Sequence, residues 1–344
     1  MAPRGPTVAV RLRAVALLLL AKCASTYAAV GMTWTQGAGG GAVWLPRSGH
    51  AAVCFEDGVV VTVAGQGAET YDDVAATTEG GSALAIVTQA GGTALTMRHG
   101  HAIARVPGSS GSFLVVSGTD NTAKKNDALL TTDRGVSFVT KSIAVFTSAR
   151  FNAGLVALDA TTFVALGGLY DGPSNEVRKS TDSGANWVTL RGEGGANAPS
   201  AGCRADDDIF PARSTFGHTY MPLMARIVVA AGSAPNYAKD VWYTDSNTVA
   251  APVGKCWKKG GDIDTLGGGY NGPALIVVTL GTVEILVFAG GQNDMGRGYV
   301  NTVSRSHDGG VTWFSVDNSA AMWPGRDTFA MIFNPMNKEI AVLG

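Results

Sequence analysis

The sequence predicts an all-β chain built from repeated small antiparallel sheets, and three observations lead to that prediction. The 344 residues include 46 glycines and only 15% charged residues, a composition typical of many short strands joined by tight turns. A motif of a hydroxyl residue followed by Asp, Gly and Trp at offsets of two, four and seven residues recurs along the chain. It lies inside a longer repeat of about fifty residues, which favours one closed array over the two domains that length alone suggests.

This motif, called the box below, is complete twice and nearly complete once. Its members are Ser306, Asp308, Gly310 and Trp313, then Ser180, Asp182, Gly184 and Trp187, then Thr131, Asp133, Gly135 and Phe138. A decayed copy comprises Thr77, Glu79, Gly81 and Leu84, and an insertion separates Asp245 from Trp257. The pattern predicts a tight turn between strands, in which Ser and Asp oxygens accept backbone amides, Gly takes a positive φ and the Trp ring packs beneath the loop. We therefore expect these residues to be structural.

Each repeat runs in the same order. An opening Arg precedes an apolar strand, a second apolar strand ends at Gly, and a third strand that starts after Asn or Asp leads into the box. The opening residues are Arg47, Arg98, Arg150, Arg213 and Arg326, and the fifth repeat lacks one. The third strand opens five residues before the box acid in four copies, as Val177 does before Asp182. Such constant spacing indicates a true internal repeat.

The repeat resembles the kelch motif, and the box resembles the Asp box, or BNR motif, of sialidases. The resemblance covers roughly residues 30–344 and implies a six-bladed β-propeller of four-stranded antiparallel blades. The expected blades are about 47–97, 98–149, 150–212, 213–266, 267–325, and 326–344 plus 30–46. The last blade would be closed by pairing the two ends of the chain, with the segment at Trp34 as its outermost strand. No segment suits its third strand, which leaves that blade incomplete or the chain cut short at Gly344.

The first 28 residues predict a secretory signal peptide. Arg4, Arg11 and Arg13 precede an apolar run of eight residues, Ala14 to Ala21, and cleavage near Ala28 or Ala29 fits the small residues there. The run is shorter than the roughly 20 residues that cross a bilayer, so no membrane span is expected. The protein is therefore expected to be secreted, and a net charge of −1 gives no overall attraction to nucleic acid.

Three cysteines remain after the predicted cleavage site, an odd number for a secreted chain. Cys203 and Cys256 lie beside the ends of outer strands in successive repeats, and we expect a disulfide between them. The state of Cys54 is left open.

The resemblance places the opening arginines at the mouth of the central channel. Arg47, Arg98, Arg150, Arg213 and Arg326 could there bind a carboxylate, sulfate or phosphate, or each could brace its own blade. Trp44 and Trp323, three residues before two of these arginines, could stack on a sugar ring or pack in the core. The loops after the second strands border the same face and carry polar pairs: Asp120-Asn121, Tyr170-Asp171, Asn236-Tyr237 and Gln292 to Asp294.

No metal or cofactor is expected. His50, His101 and His218 recur with the repeat, which favours a structural role, and the acidic run Asp206 to Asp208 lacks calcium-loop spacing. Sialidases, whose Asp box this motif resembles, use an arginine triad, a Tyr–Glu pair and an Asp acid. Asp120 or Asp171 could serve as that acid, but no convincing Tyr–Glu pair is present, and nothing matches the copper ligands of galactose oxidase.

The preferred hypothesis is a secreted, non-catalytic scaffold, expected to be monomeric, whose ligand is a glycan, acidic ones included, or an extracellular protein. A sialidase-like exo-glycosidase is the alternative from the enzyme class. A third hypothesis makes the chain a scaffold fragment of a longer protein.

Overall fold

The computed structural model describes residues 10–13, 34–36, 45–77, 84–192, 203, 209–233, 236–244, 252–263, 267–316 and 323–344. Within these ranges every regular element is a β-strand. None of the described residues forms a helix that could cross a bilayer. The chain is all-β, as its composition predicted.

The strands of the N-terminal half are β1 (Val10–Arg13), β2 (Trp34–Gln36), β3 (Ala51–Cys54), β4 (Val60–Gln66), β5 (Thr70–Thr77), β6 (Leu84–Ile86), β7 (Ala102–Arg105), β8 (Phe113–Val116), β9 (Ala128–Thr131), β10 (Val139–Ser142), β11 (Gly154–Ala157), β12 (Phe163–Leu166), β13 (Val177–Ser180) and β14 (Val188–Arg191). Those of the C-terminal half are β15 (Gly217–Met221), β16 (Arg226–Ser233), β17 (Tyr237–Thr244), β18 (Trp257–Asp262), β19 (Tyr270–Asn271), β20 (Ala274–Leu280), β21 (Val283–Ala289), β22 (Gln292–Asn293), β23 (Gly298–Tyr299), β24 (Val303–Ser306), β25 (Phe314–Ser315), β26 (Ala330–Asn334) and β27 (Glu339–Leu343).

These strands form small antiparallel sheets in a propeller-like arrangement. Five sheets of the described chain have four strands each, in the orders β3-β4-β5-β6, β7-β8-β9-β10, β11-β12-β13-β14, β20-β21-β24-β25 and β26-β27-β1-β2. The innermost strands β3, β7, β11, β15, β20 and β26 contact one another in that order, and β26 contacts β3 again. The sheets therefore follow one another around a closed ring.

The second strand of each sheet lies in the core. β8 and β12 are buried along their whole length, because each has a partner strand on either side and a neighbouring sheet against each face. This explains why their sequences are continuous apolar runs without alternation. The outermost strands carry exposed side chains instead, such as Val139 and Val188, each 59% exposed.

One sheet departs from the predicted four strands. β17 begins at Tyr237, before the predicted start of the third strand, and pairs with both β18 and β19. β19 pairs with β22, and β22 pairs with β23, which makes a sheet of seven strands. Backbone hydrogen bonds therefore connect the sheet of the fourth repeat with the loop of the fifth.

The last sheet joins the two ends of the chain. β2, at Trp34, is its outermost strand, and β1 fills the third place, for which the sequence offered no segment. β1 pairs with β27 from Val10 opposite Val342 to Arg13 opposite Glu339. This strand lies inside the predicted signal peptide, so cleavage near Ala28 would remove it and leave β27 as a sheet edge. The signal peptide itself stays a prediction.

A two-residue junction ends the second strand of five repeats. Its first residue is left-handed and its second is a glycine, as in Ser117, with φ of 61°, and Gly118, with φ of 104°. The equivalent pairs are Ala64-Gly65, Gly167-Gly168, Ala231-Gly232 and Gly290-Gly291. In four repeats the glycine N–H donates to the carbonyl of the next opening arginine, as Gly118 does to Arg150 at 3.0 Å. In these four repeats the bond fixes the sheet to the following one.

The junction glycine predicts a position-specific loss of stability. A Cβ on Gly118 would lie 3.0 Å from Cβ of His101 and 3.1 Å from the carbonyl oxygen of His99, whereas a Cβ on Gly108, also at positive φ, meets nothing within 4 Å. Gly118→Ala should therefore lower the free energy of unfolding by about 2 kcal/mol more than Gly108→Ala. Urea denaturation of both variants measures the difference, and equal losses would show that the close approach is unimportant.

Candidate ligand-binding site

A ring of six backbone hydrogen bonds surrounds the channel at the end where the inner strands begin. The residue two places after each opening position donates its N–H to the equivalent carbonyl of the preceding repeat, at 2.6–3.1 Å. The six residues are Gly49, Gly100, Asn152, Thr215, Gly272 and Thr328, and the bond from Gly49 to Thr328 closes the cycle. All six have positive φ, a costly conformation for β-branched Thr215 and Thr328. The ring thus imposes one backbone geometry on every repeat.

Below this ring lies a central cavity of about 560 Å³. Its wall consists of the inner strands and extends to the turns at the opposite face, where Pro107 and Pro222 lie. His218 and Thr219 are among its polar residues. Among the described residues no three His, Cys, Asp or Glu side chains are grouped to hold a metal ion.

Four opening arginines are buried inside their sheets and paired with an acid. Arg98 is fully buried, and its guanidinium donates to both carboxylate oxygens of Asp127, at 2.9 and 2.8 Å. It also donates from Nη1 to the junction carbonyl of Ser117 at 3.0 Å and from Nε to the carbonyl of Thr96 at 3.2 Å. The other three pairs are Arg47 with Asp73, Arg150 with Glu176 and Arg213 with Asp240.

These contacts are those of a brace. Each of the four arginines links the opening segment, the junction and the first residues of the third strand within its own sheet, and its donors face acceptors of the protein. Binding of a ligand by these four arginines stays a prediction, and no contact in the structure supports it.

The fifth repeat lacks the arginine and the acid together. Tyr270 occupies the arginine position, four residues before the inner strand, and Thr302 occupies the acid position, directly before β24. A buried carboxylate without its cation is costly, which accounts for the joint loss.

Arg326 differs from the other four. It is half-buried and donates to the carbonyl of Pro324 and to an oxygen of Gly344, the last residue of the given sequence. Among the described residues it pairs with no Asp or Glu side chain. Trp323 is 2% exposed, packs against Phe329 at 5.3 Å between ring centroids and lies 5.6 Å from the Arg326 guanidinium. Trp323 therefore packs in the core, which was the alternative to stacking on a sugar ring. Trp44 lies outside the described residues.

The three recurring histidines occupy two different positions. His50 and His101 directly precede β3 and β7, whereas His218 lies within β15, because every opening position is four residues before its inner strand. Burial lowers the pKa of all three imidazoles, and for His50 the charges of Arg47 and Arg326 lower it further, to about 4. Ala153, Phe216 and Phe329 hold the position of His50 in other repeats, so the shared requirement there is packing.

The loops after the second strands are joined to one another across the sheets. Nδ2 of Asn121 donates to Oγ1 of Thr70 at 3.1 Å, and Oδ1 of Asn121 lies 2.8 Å from Nε2 of His99. Nζ of Lys124 donates to the carbonyl of Tyr170 and lies 3.6 Å from the Asp171 carboxylate. These contacts connect the loops of the first three repeats.

A similar contact connects the fourth repeat with the fifth. The Tyr237 hydroxyl donates to Oε1 of Gln292 at 2.9 Å, and the Gly269 N–H donates to the Asp294 carboxylate at 2.9 Å. Polar side chains that the sequence placed on this face are thus held by neighbouring loops. The Asn236 side chain makes no such contact among the described residues, and the neighbouring Tyr237 forms the link instead.

The boxes lie at the opposite end of the sheets and form compact turns. In the third repeat Oγ of Ser180 donates to Asp182 at 2.8 Å and accepts the Gly184 N–H at 3.0 Å, while Trp187 donates from Nε1 to the Gly184 carbonyl at 3.0 Å. The Asn186 N–H and amide lower the pKa of Asp182 to about 2. Equivalent bonds are present around Thr131 and Ser306.

Sequence reasoning missed one box member. The side chain of the residue four places after the Asp donates a hydrogen bond to the second carboxylate oxygen of that Asp. This residue is Ser137, Asn186 or Thr312 in the three boxes. The signal was a small or amide side chain directly before the aromatic residue. In the fourth repeat Trp257 still donates to Gly254 at 2.9 Å, so its insertion lies between Asp245 and Gly254, while Glu79, Gly81 and Asp245 lie outside the described residues.

The structure joins Cys203 to Cys256 by a disulfide, the pairing that the sequence favoured. Cys256 directly precedes the buried Trp257, so the bond ties the segment at Cys203 to the end of the fourth repeat. Cys54 is a half-buried free thiol whose pKa burial raises to about 11, a value that leaves it uncharged and unreactive at neutral pH. Asp206 to Asp208 lie outside the described residues.

No protein-family model matches the sequence, and no curated protein matches it. The fold and the contacts described above are therefore the basis for assigning a function.

The buried arginine pairs predict strong coupling. Arg98→Met leaves Asp127 without its cation and should lower the free energy of unfolding by about 3–5 kcal/mol. Asp127→Thr introduces the residue type of the fifth repeat. The double variant should lose less free energy of unfolding than the two single variants together, by at least about 1 kcal/mol. Denaturation of the two single variants and the double variant gives this coupling energy.

A surface pair provides the control. Arg105 and Glu56 lie 3.3 Å apart, and their side chains are 27% and 72% exposed. Arg105→Met should therefore lower the free energy of unfolding by less than about 1 kcal/mol. Strict additivity at Arg98 and Asp127 would contradict the brace.

The buried imidazole of His50 predicts acid sensitivity. Its pKa is about 4 in the folded chain and about 6.5 when unfolded, so between these values the unfolded chain binds a proton that the folded chain does not. This difference should remove about 3 kcal/mol of stability as the pH falls from 6.5 to 4, with no effect above 6.5. His50→Phe, which introduces the residue of two other repeats, should reduce that loss. Denaturation midpoints of both proteins from pH 7 to 4.5 test this, and parallel curves would contradict it.

Proposed function

We propose that this protein is a secreted six-bladed propeller of the kelch type with Asp-box turns, and that it binds a glycan on its loop face without catalysis. The cyclic contacts of the six inner strands and the six-membered hydrogen-bond ring support six blades. The side-chain bonds of the boxes support the Asp-box assignment. The Cys203–Cys256 disulfide is compatible with an extracellular location.

The observation that carries the binding proposal is the linkage between loops of neighbouring sheets. Thr70, His99 and Asn121 form one hydrogen-bonded group, and Lys124, Tyr170 and Asp171 form the next. Side chains held in this way lose little conformational entropy when a ligand binds. A loop surface that is already ordered therefore suits recognition.

The chemistry of this surface favours a glycan. It combines amide, imidazole, carboxylate and ammonium groups, which pair with hydroxyl groups, with the partly exposed rings of Tyr170 and Tyr237. Aromatic rings with polar neighbours provide a stacking face for a sugar. Tyr299, which is 54% exposed, lies in the loop of the fifth repeat on the same face.

Two observations weigh against the sialidase-like alternative. Arg47, Arg98, Arg150 and Arg213 donate to acids of the protein, whereas an arginine triad needs guanidinium groups that can reach a substrate carboxylate. The Thr122 hydroxyl and backbone N–H groups hold the pKa of Asp120 well below its usual range, which makes it a poor proton donor near neutral pH.

This proposal predicts that affinity depends on the loop face alone. In a glycan array, the full-length chain should bind at least one glycan, and Tyr170→Ala should lower its affinity for that glycan about ten-fold or more through the lost ring contact. Met336→Ala is the matched control, since Met336 is 66% exposed in the turn between β26 and β27 at the opposite face. Calorimetric titration measures both variants.

Three results would reject the proposal. Equal affinity of the two variants would place the site elsewhere, and an array without any binding would direct the search to protein partners. Turnover of a fluorogenic sialoside by the wild type would favour the enzyme.

A further inference from the structure

The residue directly after each opening position has a fixed backbone and a variable side chain. In five repeats it pairs with the residue after the junction, as His99 pairs with Thr119 through N–H to carbonyl bonds of 2.9 and 3.0 Å. The six side chains are nevertheless of five types: Ser48, His99, Phe151, Ser214, Asn271 and Asp327. The fold therefore constrains the backbone at this position and leaves the side chain free to serve in recognition.

His99 is held in place by three successive repeats. Its Nε2 lies 2.8 Å from Oδ1 of Asn121, and Nδ2 of the same amide donates to Oγ1 of Thr70 in the first repeat at 3.1 Å. Its ring meets the ring of Phe151 in the third repeat edge-on, with 6.3 Å between the centroids and 67° between the planes. The imidazole is thus fixed in one orientation while it stays partly exposed.

This arrangement determines the tautomer of His99. Oδ1 of Asn121 can only accept a hydrogen bond, so Nε2 carries the proton and Nδ1 is left as an acceptor. Nδ1 faces the backbone of Gly49, and a Cβ at Gly49 would lie 3.6 Å from it. Because position 49 is a glycine, no side chain of that residue fills the space beside Nδ1. Among the described residues no donor contacts Nδ1.

Two aromatic rings of the third repeat lie on the same side of the loop face as His99. Phe151 contacts the imidazole, and its backbone pairs with that of Leu169, which directly precedes Tyr170. The rings of Phe151 and Tyr170 are both partly exposed. Such rings beside a neutral acceptor suit a ligand that has apolar faces and hydroxyl groups. A carboxylate is an acceptor only, so it cannot pair with Nδ1.

We propose that Nδ1 of His99 accepts a hydrogen bond from a hydroxyl group of a neutral sugar, and that Asn121 is the positioning residue that holds the imidazole in this tautomer. The proposal rests on the glycan-binding function above and assigns its ligand class, neutral sugars in preference to acidic ones.

The tautomer can be tested without any sugar. An NMR spectrum that correlates the imidazole nitrogens with the ring hydrogens, recorded in mildly alkaline buffer and assigned with His99→Phe, should show a protonated Nε2 and an unprotonated Nδ1. Asn121→Leu removes the acceptor and should give a mixture of tautomers. Asn121→Asp keeps an acceptor and should retain the tautomer of the wild type. A proton on Nδ1 of the wild type would overturn the proposal.

Titration of the full-length chain with glucose, galactose and mannose tests the ligand class, and glucuronate and glucosamine are the acidic and cationic counterparts. At least one neutral sugar should shift the Nδ1 resonance of His99 and bind more tightly than glucuronate. His99→Phe should lower the affinity for that sugar about five-fold or more, because one hydrogen bond is lost. Asn121→Leu should also lower it, and Asn121→Asp should retain most of it.

The matched control is His307→Phe, the same change in a box at the opposite end of the sheets, which should leave the sugar affinity unchanged. Thermal unfolding without sugar establishes which variants fold, and Asn121→Leu carries the test if His99→Phe does not.

Three results would overturn the assignment. They are an Nδ1 resonance that no neutral sugar shifts, wild-type affinity in a folded His99→Phe, and tighter binding of glucuronate or glucosamine than of every neutral sugar. In each case a glycan bound on the array would leave the proposed function standing. An empty array would reject the proposed function as well.

Discussion

The structure depends on the two-residue junction that ends the second strand in five repeats. There a left-handed residue exposes its carbonyl to the arginine of its own repeat, and the following glycine donates its N–H to the carbonyl of the next arginine, as at Ser117 and Gly118. One pair of residues thus connects the opening segment, the third strand and the neighbouring sheet. The glycine has no substitute, because a Cβ at Gly118 would approach His101 and the backbone of His99.

Much of the fold could be predicted because its causes are local. Strand order, box turns and opening arginines repeat at fixed spacing, and each depends on residues that are close in sequence. The partners of the arginines are not close: Arg98 and Asp127 are 29 residues apart, so the spacing could not separate a brace from a ligand site. The same limit applied to β1, since an apolar N-terminal segment fits a signal peptide and a strand equally well. The loop contacts of Asn121 and Lys124 left no sequence signal beyond polarity.

The repeats also act as controls for one another. His50 and His101 share a position with Ala153, Phe216 and Phe329, which shows that imidazole chemistry is not required there. The joint absence of arginine and acid in the fifth repeat shows that the two form a unit. The sixth repeat departs from this unit, because it keeps Arg326 without an Asp or Glu partner among the described residues.

The last sheet is built from strands of both ends of the chain. As long as the chain keeps β1, this arrangement gives β27 a partner and avoids an exposed edge. The third strand of this sheet therefore comes from an N-terminal segment that is apolar and basic and contains no Asp or Glu. In the other arginine-bearing sheets the cation is neutralised by the chain itself. In the last one Arg326 keeps the contact to the end of the second strand, where it donates to an oxygen of Gly344, and has no side-chain acid beside it among the described residues.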